Sequence, residues 1–249
     1  MSLGPVDDTR DIMPPPARPQ HRHVEIVHAT GLEGARHARG VVVVIDVLRS
    51  FTVSAYALAG GARECLLVST VEEARRLGRQ IPDATICAEE NALPITGIAI
   101  SNSPTQVAAA HMRGRTLIQR STAGTPVIGA VKSDDAIFAG SLVVASATAQ
   151  ACLLRRPITV TLVASADLPE DHACAKFIEA VLRGSNIDLD PLLRPLRESE
   201  RYRRVMAGEW PGFPATDIEL ALAVDRFDFA MPAIRHEDYI RLTASFSPR

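Results

Sequence analysis

The chain has 249 residues, of which 47% are hydrophobic and 22% are charged, and its formal net charge is −2. A chain of this length can bury a large core. The small net charge supplies no basic surface for a nucleic-acid backbone, and an aromatic share of 4% leaves few rings on which bases could stack. We therefore expect a globular protein that does not bind nucleic acid.

Signals for a membrane or an oxidising compartment are sparse. No stretch reaches the roughly 20 apolar residues of a membrane span, and the N-terminus lacks the apolar core of a signal peptide. Because no CxxC pair occurs, we interpret the cysteines as buried thiols in a reducing compartment, with a disulfide or zinc site as the less favoured alternative. The four cysteines are Cys65, Cys87, Cys152 and Cys174. The sequence thus predicts a cytoplasmic protein without a membrane partner.

The first part of the chain differs in composition from the rest. Residues 1–20, MSLGPVDDTRDIMPPPARPQ, contain proline and charge but little to bury, which predicts a disordered N-terminal tail over residues 1–22. Over residues 23–245, β-rich runs alternate with segments of helical periodicity. Strands are predicted at 24–28, 41–47, 64–68, 84–88, 115–119, 141–145 and 158–164. Helices are predicted at 51–59, 71–80, 104–113, 126–134, 147–156 and 170–183.

The helix predicted at 170–183 has the clearest pattern, because its apolar residues follow the i, i+3, i+4, i+7, i+8 spacing. After residue 185 comes an arginine-rich helical stretch, in which Arg201, Arg203 and Arg204 are interpreted as a solvated helix face. A short helix near 215–224 and a strand near 227–231 follow. Alternating strands and helices predict an α/β fold with a mostly parallel or mixed sheet and flanking helices.

Ligands of parallel sheets bind at the carboxyl ends of the strands, and four predicted strand ends carry unusual residues. The run VVVVIDVLRS, residues 41–50, leads into Asp46 and then Arg49. A carboxylate here could ligate a hard cation, and a guanidinium could bind a phosphate through two parallel hydrogen bonds. A mutual salt bridge between Asp46 and Arg49 at a helix start is an equally good interpretation.

The second strand end is CAEENALPITGIAISNSP, in which Glu89 and Glu90 follow a strand. Ser103 and Pro104 are predicted to be the N-cap and the first residue of the next helix. The capping interpretation holds whatever else these residues do. Glu89 is harder to explain structurally, although adjacent acids are common in loops.

The remaining two strand ends hold a loop of small residues and an acid pair. In QRSTAGTPVIG, residues 119–129, hydroxyl and glycine residues lead to Pro126, the predicted first position of a helix. Such a loop can direct backbone N–H groups at an anion, although neither a Walker loop nor a GxGxxG motif is present. In LPEDHACA, Glu170 and Asp171 lie on the first turn of a helix, where acids also complement the helix dipole.

The motifs IDVLRS, AEE…NSP, STAGT, SATA and LPEDHACA, followed by ATDIELAL, occur in an order that resembles the 2-phosphosulfolactate phosphatase (ComB-type) family. The resemblance extends from about residue 24 to residue 235. It implies two α/β halves around a cleft, within one catalytic domain at residues 23–245. It also implies a Mg²⁺-dependent phosphatase that hydrolyses 2-phospho-3-sulfolactate to 3-sulfolactate and phosphate, a step toward coenzyme M.

The resemblance assigns roles to individual residues. Four acids would ligate Mg²⁺ directly or through water, with one of them alternatively orienting the attacking water: Asp46, Glu89, Glu170 and Asp171. Arg49 and the loop at 121–125 would hold the phosphate, and Arg120 would contact the other anionic end of the substrate. The remaining substrate-binding candidates match the family's polar positions: Asn102, Ser103, Ser121, Thr122, Gly124, Thr125 and Thr148.

Three positions depart from the family pattern. Ala123 stands where the family has asparagine, Thr148 stands where the family has another asparagine, and Lys176 replaces an expected glycine. An aspartyl-phosphate mechanism is ranked low, because Leu48 occupies the position of the general acid in Asp-x-Asp phosphatases.

Three functional hypotheses therefore stand: the family reaction, a phosphatase of another small phosphorylated hydroxy acid, and a non-catalytic relative that binds an anion. A small anionic phosphorylated substrate is the expected partner, and a homodimer is possible.

Overall fold

The structure is a computed structural model that describes residues 24–246, so the predicted tail at residues 1–22 lies outside the described residues. The strands are β1 (Glu25–Thr30), β2 (Val41–Ile45), β3 (Glu64–Leu67), β4 (Ala84–Glu90), β5 (Leu93–Pro94), β6 (Thr116–Arg120), β7 (Ile137–Gly140), β8 (Thr159–Ala164), β9 (Phe229–Arg235), β10 (Ile240–Leu242) and β11 (Ser245–Phe246). The helices are α1 (Gly31–Arg36), α2 (Ser50–Ala59), α3 (Val71–Gln80), α4 (Pro104–Ala109), α5 (Gly124–Ala130), α6 (Ala145–Leu154), α7 (Pro169–Leu182), α8 (Asp190–Arg197), α9 (Glu200–Met206) and α10 (Thr216–Ala221).

The strands form one mixed sheet in the order β1-β8-β2-β7-β9-β10-β3-β6-β4-β5, and β11 pairs with β9. Strands β1, β8, β2 and β7 are parallel to one another and form the first parallel group. Strands β3, β6 and β4 form the second parallel group. The pairs β7–β9, β9–β10 and β10–β3 are all antiparallel, so the two groups run in opposite directions. The predicted α/β fold with a mixed sheet is confirmed, whereas the division into two subdomains stays a prediction.

Strand β2 is buried along its whole length, as its run of β-branched residues predicts. Val43 pairs with Phe138 of β7 on one side and Leu162 of β8 on the other. The side chains of Val42 and Val44 belong to a core cluster that also contains residues of β3 and β6. Helix α2 belongs to the same cluster, and eight of its ten residues are buried. The two parallel groups therefore share a hydrophobic core.

The prediction of a strand at 141–145 is wrong. Strand β7 ends at Gly140, residues Leu142–Val144 form a 3₁₀ helix, and α6 begins at Ala145. The residues Leu142, Val143 and Val144 are completely buried. A short apolar run that is buried on all sides has the same sequence pattern in a strand and in a helical turn, so periodicity alone does not separate them.

Helix α5 begins at Gly124, which makes Pro126 its third residue rather than its predicted first. Proline is tolerated there because the first N–H groups of a helix have no intrahelical acceptor. The predicted helix at 170–183 is confirmed as α7.

The four cysteines are buried free thiols, as predicted, and burial raises the pKa of Cys87 and of Cys152 to about 12. None of the helices within residues 24–246 combines the length and apolar character that a bilayer crossing requires.

Candidate active site

Asp46 immediately follows β2 and lies where three elements meet. Its side chain is buried, and its Oδ1 accepts a hydrogen bond from the backbone N–H of Ser50 at 3.0 Å, at the start of α2. Its Oδ2 faces the start of α5, where a Cβ added to Gly124 would lie 2.6 Å away. The carboxylate is therefore enclosed by backbone on two sides, and its position depends on the absence of a side chain at Gly124.

Glu170 and Asp171 lie on the first turn of α7, as predicted, and both are buried. Asp171 accepts hydrogen bonds from the backbone N–H of Val47 at 2.8 Å and from the Ser165 hydroxyl at 3.0 Å. Glu170 pairs through Oε1 with Arg201 of α9, and its Oε2 has no hydrogen-bond partner within the described residues. An interaction with the helix dipole does not require such burial, so it does not account for this pair.

Arg201 corrects part of the interpretation of the arginine-rich stretch. Its side chain is 23% exposed and reaches the buried Glu170, whereas Arg203 on the same helix is 68% exposed and pairs with the exposed Glu200. The prediction of a solvated helix face is therefore wrong for Arg201. No sequence pattern distinguishes Arg201 from Arg203 and Arg204, because all three lie in the same charged run, ERYRR.

Asp46 and Asp171 have raised pKa values. Burial, with contributions from the charges of Glu170 and Glu89, raises the pKa of Asp46 to about 6. Burial and then the charges of Asp46 and Glu170 raise the pKa of Asp171 well above its ordinary value. Buried carboxylates that repel one another favour either protons or a cation between them. The cluster consequently has the electrostatic character of a cation site.

Glu89, at the end of β4, holds the small-residue loop in place. Its Oε1 accepts a hydrogen bond from the Thr122 backbone N–H, and its Oε2 accepts bonds from the Thr122 hydroxyl and from the Ala92 backbone N–H. Both oxygens are therefore occupied by protein donors. The structure gives Glu89 a loop-holding role that the sequence analysis did not recognise.

The loop from Ser121 to Thr125 is also closed by its own hydrogen bonds. The Ser121 hydroxyl accepts from the Thr125 backbone N–H at 3.1 Å and donates to the Ser50 hydroxyl at 3.1 Å. The backbone N–H of Ser121 donates to the Thr125 hydroxyl. Because Thr122 donates to Glu89, three of the five residues of the loop have backbone N–H groups that bind protein acceptors. The loop contacts Asp46 and Ser50 through Gly124 rather than forming an open ring of N–H donors.

Arg49 is buried, but its partner is not Asp46. Its Nη1 donates to Asp217 Oδ2 at 2.9 Å and to the Gly212 carbonyl at 2.6 Å, and its Cζ lies 3.9 Å from the centre of the Phe213 ring. No salt bridge joins Arg49 to Asp46 among residues 24–246, so the interpretation of the two as a mutual ion pair is wrong. All the hydrogen bonds that this guanidinium donates within that range use Nη1.

Asp217 is the most important residue that the sequence analysis missed. It is completely buried on α10 and accepts hydrogen bonds from Arg49, from the Ser103 hydroxyl at 2.6 Å and from the Thr105 backbone N–H at 3.0 Å. Its only sequence signal was its place in the motif ATDIELAL.

The Asn-Ser-Pro tripeptide has the predicted local structure. Ser103 caps α4 by accepting a hydrogen bond from the Gln106 backbone N–H at 3.2 Å, and Pro104 is the first helical residue. Asn102 accepts a hydrogen bond from Gln119 at 3.0 Å. Gln119, which the sequence analysis also missed, is completely buried and binds Ser50 through its amide nitrogen. These bonds join the end of β6 to the starts of α2 and α4.

The substrate-binding roles of Arg120 and Thr148 stay predictions, and both side chains contact protein groups in the structure. The Arg120 guanidinium donates to the Glu89 carbonyl and lies 3.9 Å from the Glu90 carboxylate, so protein groups neutralise part of its charge. Thr148 lies within α6 and donates to the Val144 carbonyl at 2.8 Å. It does not follow a strand, because the strand that was predicted before it is absent.

The acids fit a magnesium site of a particular kind. No three His, Cys, Asp or Glu side chains within residues 24–246 form a metal-ligand group. Mg²⁺, however, commonly takes only one or two carboxylates and completes its shell with water and substrate phosphate. Within residues 24–246, Asp46 Oδ2 and Glu170 Oε2 accept no hydrogen bond, whereas Glu89 and Asp171 bind protein donors through both oxygens. Asp46 and Glu170 are therefore the better candidates for direct ligands.

Comparison with known proteins places these motifs in a family. The model of the 2-phosphosulpholactate phosphatase family matches residues 27–229, a range that contains every residue of the site. A probable 2-phosphosulfolactate phosphatase of Bacillus subtilis is 38% identical over 149 residues, which are 58% of this chain and 65% of that protein. A probable 2-phosphosulfolactate phosphatase of Carboxydothermus hydrogenoformans is 36% identical over 57% of this chain and 60% of its own length.

A third relative is matched over a longer segment. The probable 2-phosphosulfolactate phosphatase of Symbiobacterium thermophilum is 31% identical over 170 residues, which are 66% of this chain and 72% of that protein. For the first two relatives the matched part is less than two thirds of their length. The family model and the relatives agree, and the chain belongs to the 2-phosphosulpholactate phosphatase family.

Proposed function

We propose that the protein is a Mg²⁺-dependent phosphatase that hydrolyses 2-phospho-3-sulfolactate to 3-sulfolactate and phosphate. The observation that carries the proposal is the buried group of Asp46, Glu170 and Asp171, together with a buried arginine that also follows β2. An acid group alone would repel a phosphorylated substrate, and a cation is needed to reverse that repulsion. Family membership supports the substrate.

Each residue has a distinct part in this proposal. Asp46 and Glu170 would hold Mg²⁺, which when bound neutralises charge on the transferred phosphoryl group. Asp171 fixes the backbone that follows Asp46 through its bond to Val47, and Arg49 binds the phosphoryl oxygens. As the oxygen of the attacking water bonds to phosphorus, the bond from phosphorus to the ester oxygen breaks. The water's proton passes to a carboxylate of the acid group and from there to the departing alkoxide, which leaves as the hydroxyl group of 3-sulfolactate. Because Asp46, Glu170 and Arg49 are each at most 5% exposed, their enclosure excludes bulk water from the reacting groups.

A second substrate class is supported by a specific observation. Ala123 removes an amide from the loop beside Asp46, and Thr148 is directed into its own helix rather than toward a strand end. Both changes remove polar groups that the family pattern places near the substrate. Another small phosphorylated hydroxy acid is therefore the alternative substrate. The proposal also keeps a cytoplasmic location and a role of the product in coenzyme M synthesis.

Phosphate release tests the proposal. Racemic 2-phospho-3-sulfolactate would be compared with phospholactate, phosphoglycerate and an aryl phosphate, each with Mg²⁺ and with a chelator. Chelator-sensitive turnover that prefers the sulfonate supports the family reaction, and turnover of only another ester supports the alternative. Absence of turnover across the panel by folded protein would overturn both and favour a non-catalytic relative.

Cation binding is measured separately from turnover. Because a ligand that binds only the folded state raises its stability, Mg²⁺ should raise the melting temperature of the wild-type protein. The same titration of Asp46→Asn and of Glu170→Gln should give a much smaller rise. If Mg²⁺ raised the melting temperature equally in all three proteins, Asp46 and Glu170 would not be ligands of the magnesium site.

A further inference from the structure

Asp217 connects Arg49 to the Asn-Ser-Pro helix through a buried carboxylate. One oxygen, Oδ2, accepts from Arg49 at 2.9 Å, and the other, Oδ1, accepts from the Ser103 hydroxyl and the Thr105 backbone N–H. Asp217 is completely buried, and the Arg49 side chain is only 3% exposed. The two oxygens therefore have separate tasks, one toward the guanidinium and one toward the start of α4.

A buried ion pair of this kind is not an efficient source of stability. Removing both charges from water is costly, and apolar replacements of similar volume are often as stable. The pair instead fixes the orientation of the Arg49 guanidinium. The contacts fix Nη1 through Asp217 and Gly212, and they fix one face of the guanidinium through the ring of Phe213.

The contacts of Arg49 leave a defined edge of its guanidinium. Within residues 24–246 its hydrogen bonds use Nη1, so Nε and Nη2 remain for another acceptor. These two nitrogens form the edge that binds a phosphate or a carboxylate by two parallel hydrogen bonds. A guanidinium that is held at the opposite nitrogen and along one face can present this edge in a single orientation.

We propose that Asp217 is a positioning residue that holds Arg49 so that its Nε–Nη2 edge binds the phosphoryl group. The proposal rests on the proposed function for the identity of the anion. Asp217 does not touch the substrate, and it acts through Arg49. The bonds to Ser103 and Thr105 tie this orientation to α4, so the Asn-Ser-Pro motif contributes to phosphate binding indirectly.

Asp217→Asn separates the two tasks of the carboxylate. The amide oxygen can still accept from Ser103 and Thr105, but the amide nitrogen then faces the Nη1 donor of Arg49. Loss of a charge-assisted hydrogen bond should lower the affinity for inorganic phosphate about 10-fold or more, measured by calorimetry with Mg²⁺ present. If a substrate of the panel is turned over, its KM should rise by a similar factor.

Thr216→Val is the matched control, because Thr216 is exposed next to Asp217 and its hydroxyl lies 2.8 Å from the Thr105 hydroxyl. This substitution weakens the same contact between α10 and α4 without touching Arg49. Phosphate affinity should remain that of the wild type. In an Arg49→Lys background, Asp217→Asn should lower the affinity little further, because both changes remove the same interaction.

Several outcomes would overturn the inference. Unchanged phosphate affinity in folded Asp217→Asn would leave Asp217 with only a structural role. If that variant does not fold, Asp217→Glu keeps the buried charge but moves it by one methylene, and unchanged affinity there would overturn the inference equally. Full additivity with Arg49→Lys would also contradict it.

Failure of the proposed function gives a different pattern. Loss of phosphate affinity in Asp217→Asn without turnover of any substrate would leave the inference standing and remove the enzymatic proposal. If the wild type turns over a substrate, and Asp217→Asn has the wild-type KM and the wild-type phosphate affinity, the enzymatic proposal stands and the inference is overturned. If the folded wild-type protein neither binds phosphate nor turns over any ester of the panel, both are overturned.

Discussion

Gly124 lies against Asp46 so closely that a Cβ at this glycine would be 2.6 Å from the Asp46 Oδ2. The same Cβ would lie 2.8 Å from the Cβ of Ser50. The start of α5 therefore fits between the end of β2 and the start of α2 only because it has no side chain. This contact makes glycine a requirement of the acid site, independent of any backbone conformation that glycine alone can adopt.

Gly124→Ala should displace Asp46 or the start of α5. We expect a loss of about 1–3 kcal/mol in the free energy of unfolding, as for other overpacked sites, and a larger relative loss of phosphatase activity. Gly129→Ala is the control in the same helix, because a Cβ there meets no atom within 4 Å. The control should be neutral or stabilising by up to about 1 kcal/mol, since alanine is the better helix former. Urea denaturation checks both, and equal effects would contradict the prediction.

The pH dependence of stability should report the crowding of the acids. Burial and the neighbouring charges raise the pKa of Asp46 to about 6, above its ordinary value of 3.8. Between these two values the folded state binds more protons than the unfolded state, so this group makes the free energy of unfolding fall as the pH rises. Asp46→Asn removes the effect, and its stability relative to the wild type should therefore increase from about pH 4 to about pH 6.

Denaturation in urea at several pH values, with a chelator present, measures this difference. The same substitution at the exposed Asp134 controls for the change of an aspartate to an asparagine. Mg²⁺ at neutral pH should reverse the order, because the cation stabilises only a site that retains its carboxylates. If the difference in the free energy of unfolding between the wild type and Asp46→Asn did not change with pH, the pKa of Asp46 would not be raised in the folded state.

Arg201→Met should destabilise the protein by about 3 kcal/mol, because it leaves the buried Glu170 carboxylate without its partner. Arg203→Met makes the same change on the same helix, but removes an exposed ion pair with Glu200. The control should cost about 0.5 kcal/mol or less. Urea denaturation of the two variants at neutral pH gives the comparison, and similar losses would mean that the Glu170 contact does not matter for folding.

Glu89→Gln should loosen the Ser121–Thr125 loop. The amide nitrogen of glutamine would face the backbone N–H of either Thr122 or Ala92, both of which now donate to a carboxylate oxygen. We expect a loss of about 1.5–3 kcal/mol in stability together with lower turnover.

The neighbouring change, Glu90→Gln, provides the control for Glu89→Gln. The Glu90 side chain is 64% exposed, and its nearest charged partner, Arg120, lies 3.9 Å away. Stability and turnover should therefore stay close to those of the wild type. If Glu90→Gln reduced turnover as strongly as Glu89→Gln, the role of Glu89 in holding the loop would be refuted.

Features that depend on local sequence were predicted well. Ser103 caps α4 because a hydroxyl before a proline at a helix start has the same effect in most surroundings. Asp46, Glu170 and Asp171 come together because the carboxyl ends of parallel strands lie at one edge of a sheet. The family resemblance supplied these three acids together with Glu89, whose two carboxylate oxygens accept hydrogen bonds from Thr122 and Ala92.

Features that depend on distant contacts were not predictable from the single chain. Asp217 lies 168 residues from Arg49 along the sequence, and no local pattern marks a buried acid on a short helix. Gln119 is a single polar residue at the end of a strand, and its burial follows only from the position of α2. Arg201 differs from Arg203 only in which side of α9 faces the acid group.

Strand β9 has a consequence for how the site is assembled. Its residues Met231 and Pro232 pair with β7 of the first parallel group, and its residues 233–235 pair with β10, which in turn pairs with β3 of the second group. All the residues of the proposed site lie between positions 46 and 217, before this strand. During synthesis the ribosome therefore releases every acid and arginine of the site before the strands that complete the hydrogen-bonded connection between the two groups. We expect phosphatase activity to develop only after β9 and β10 have left the ribosome.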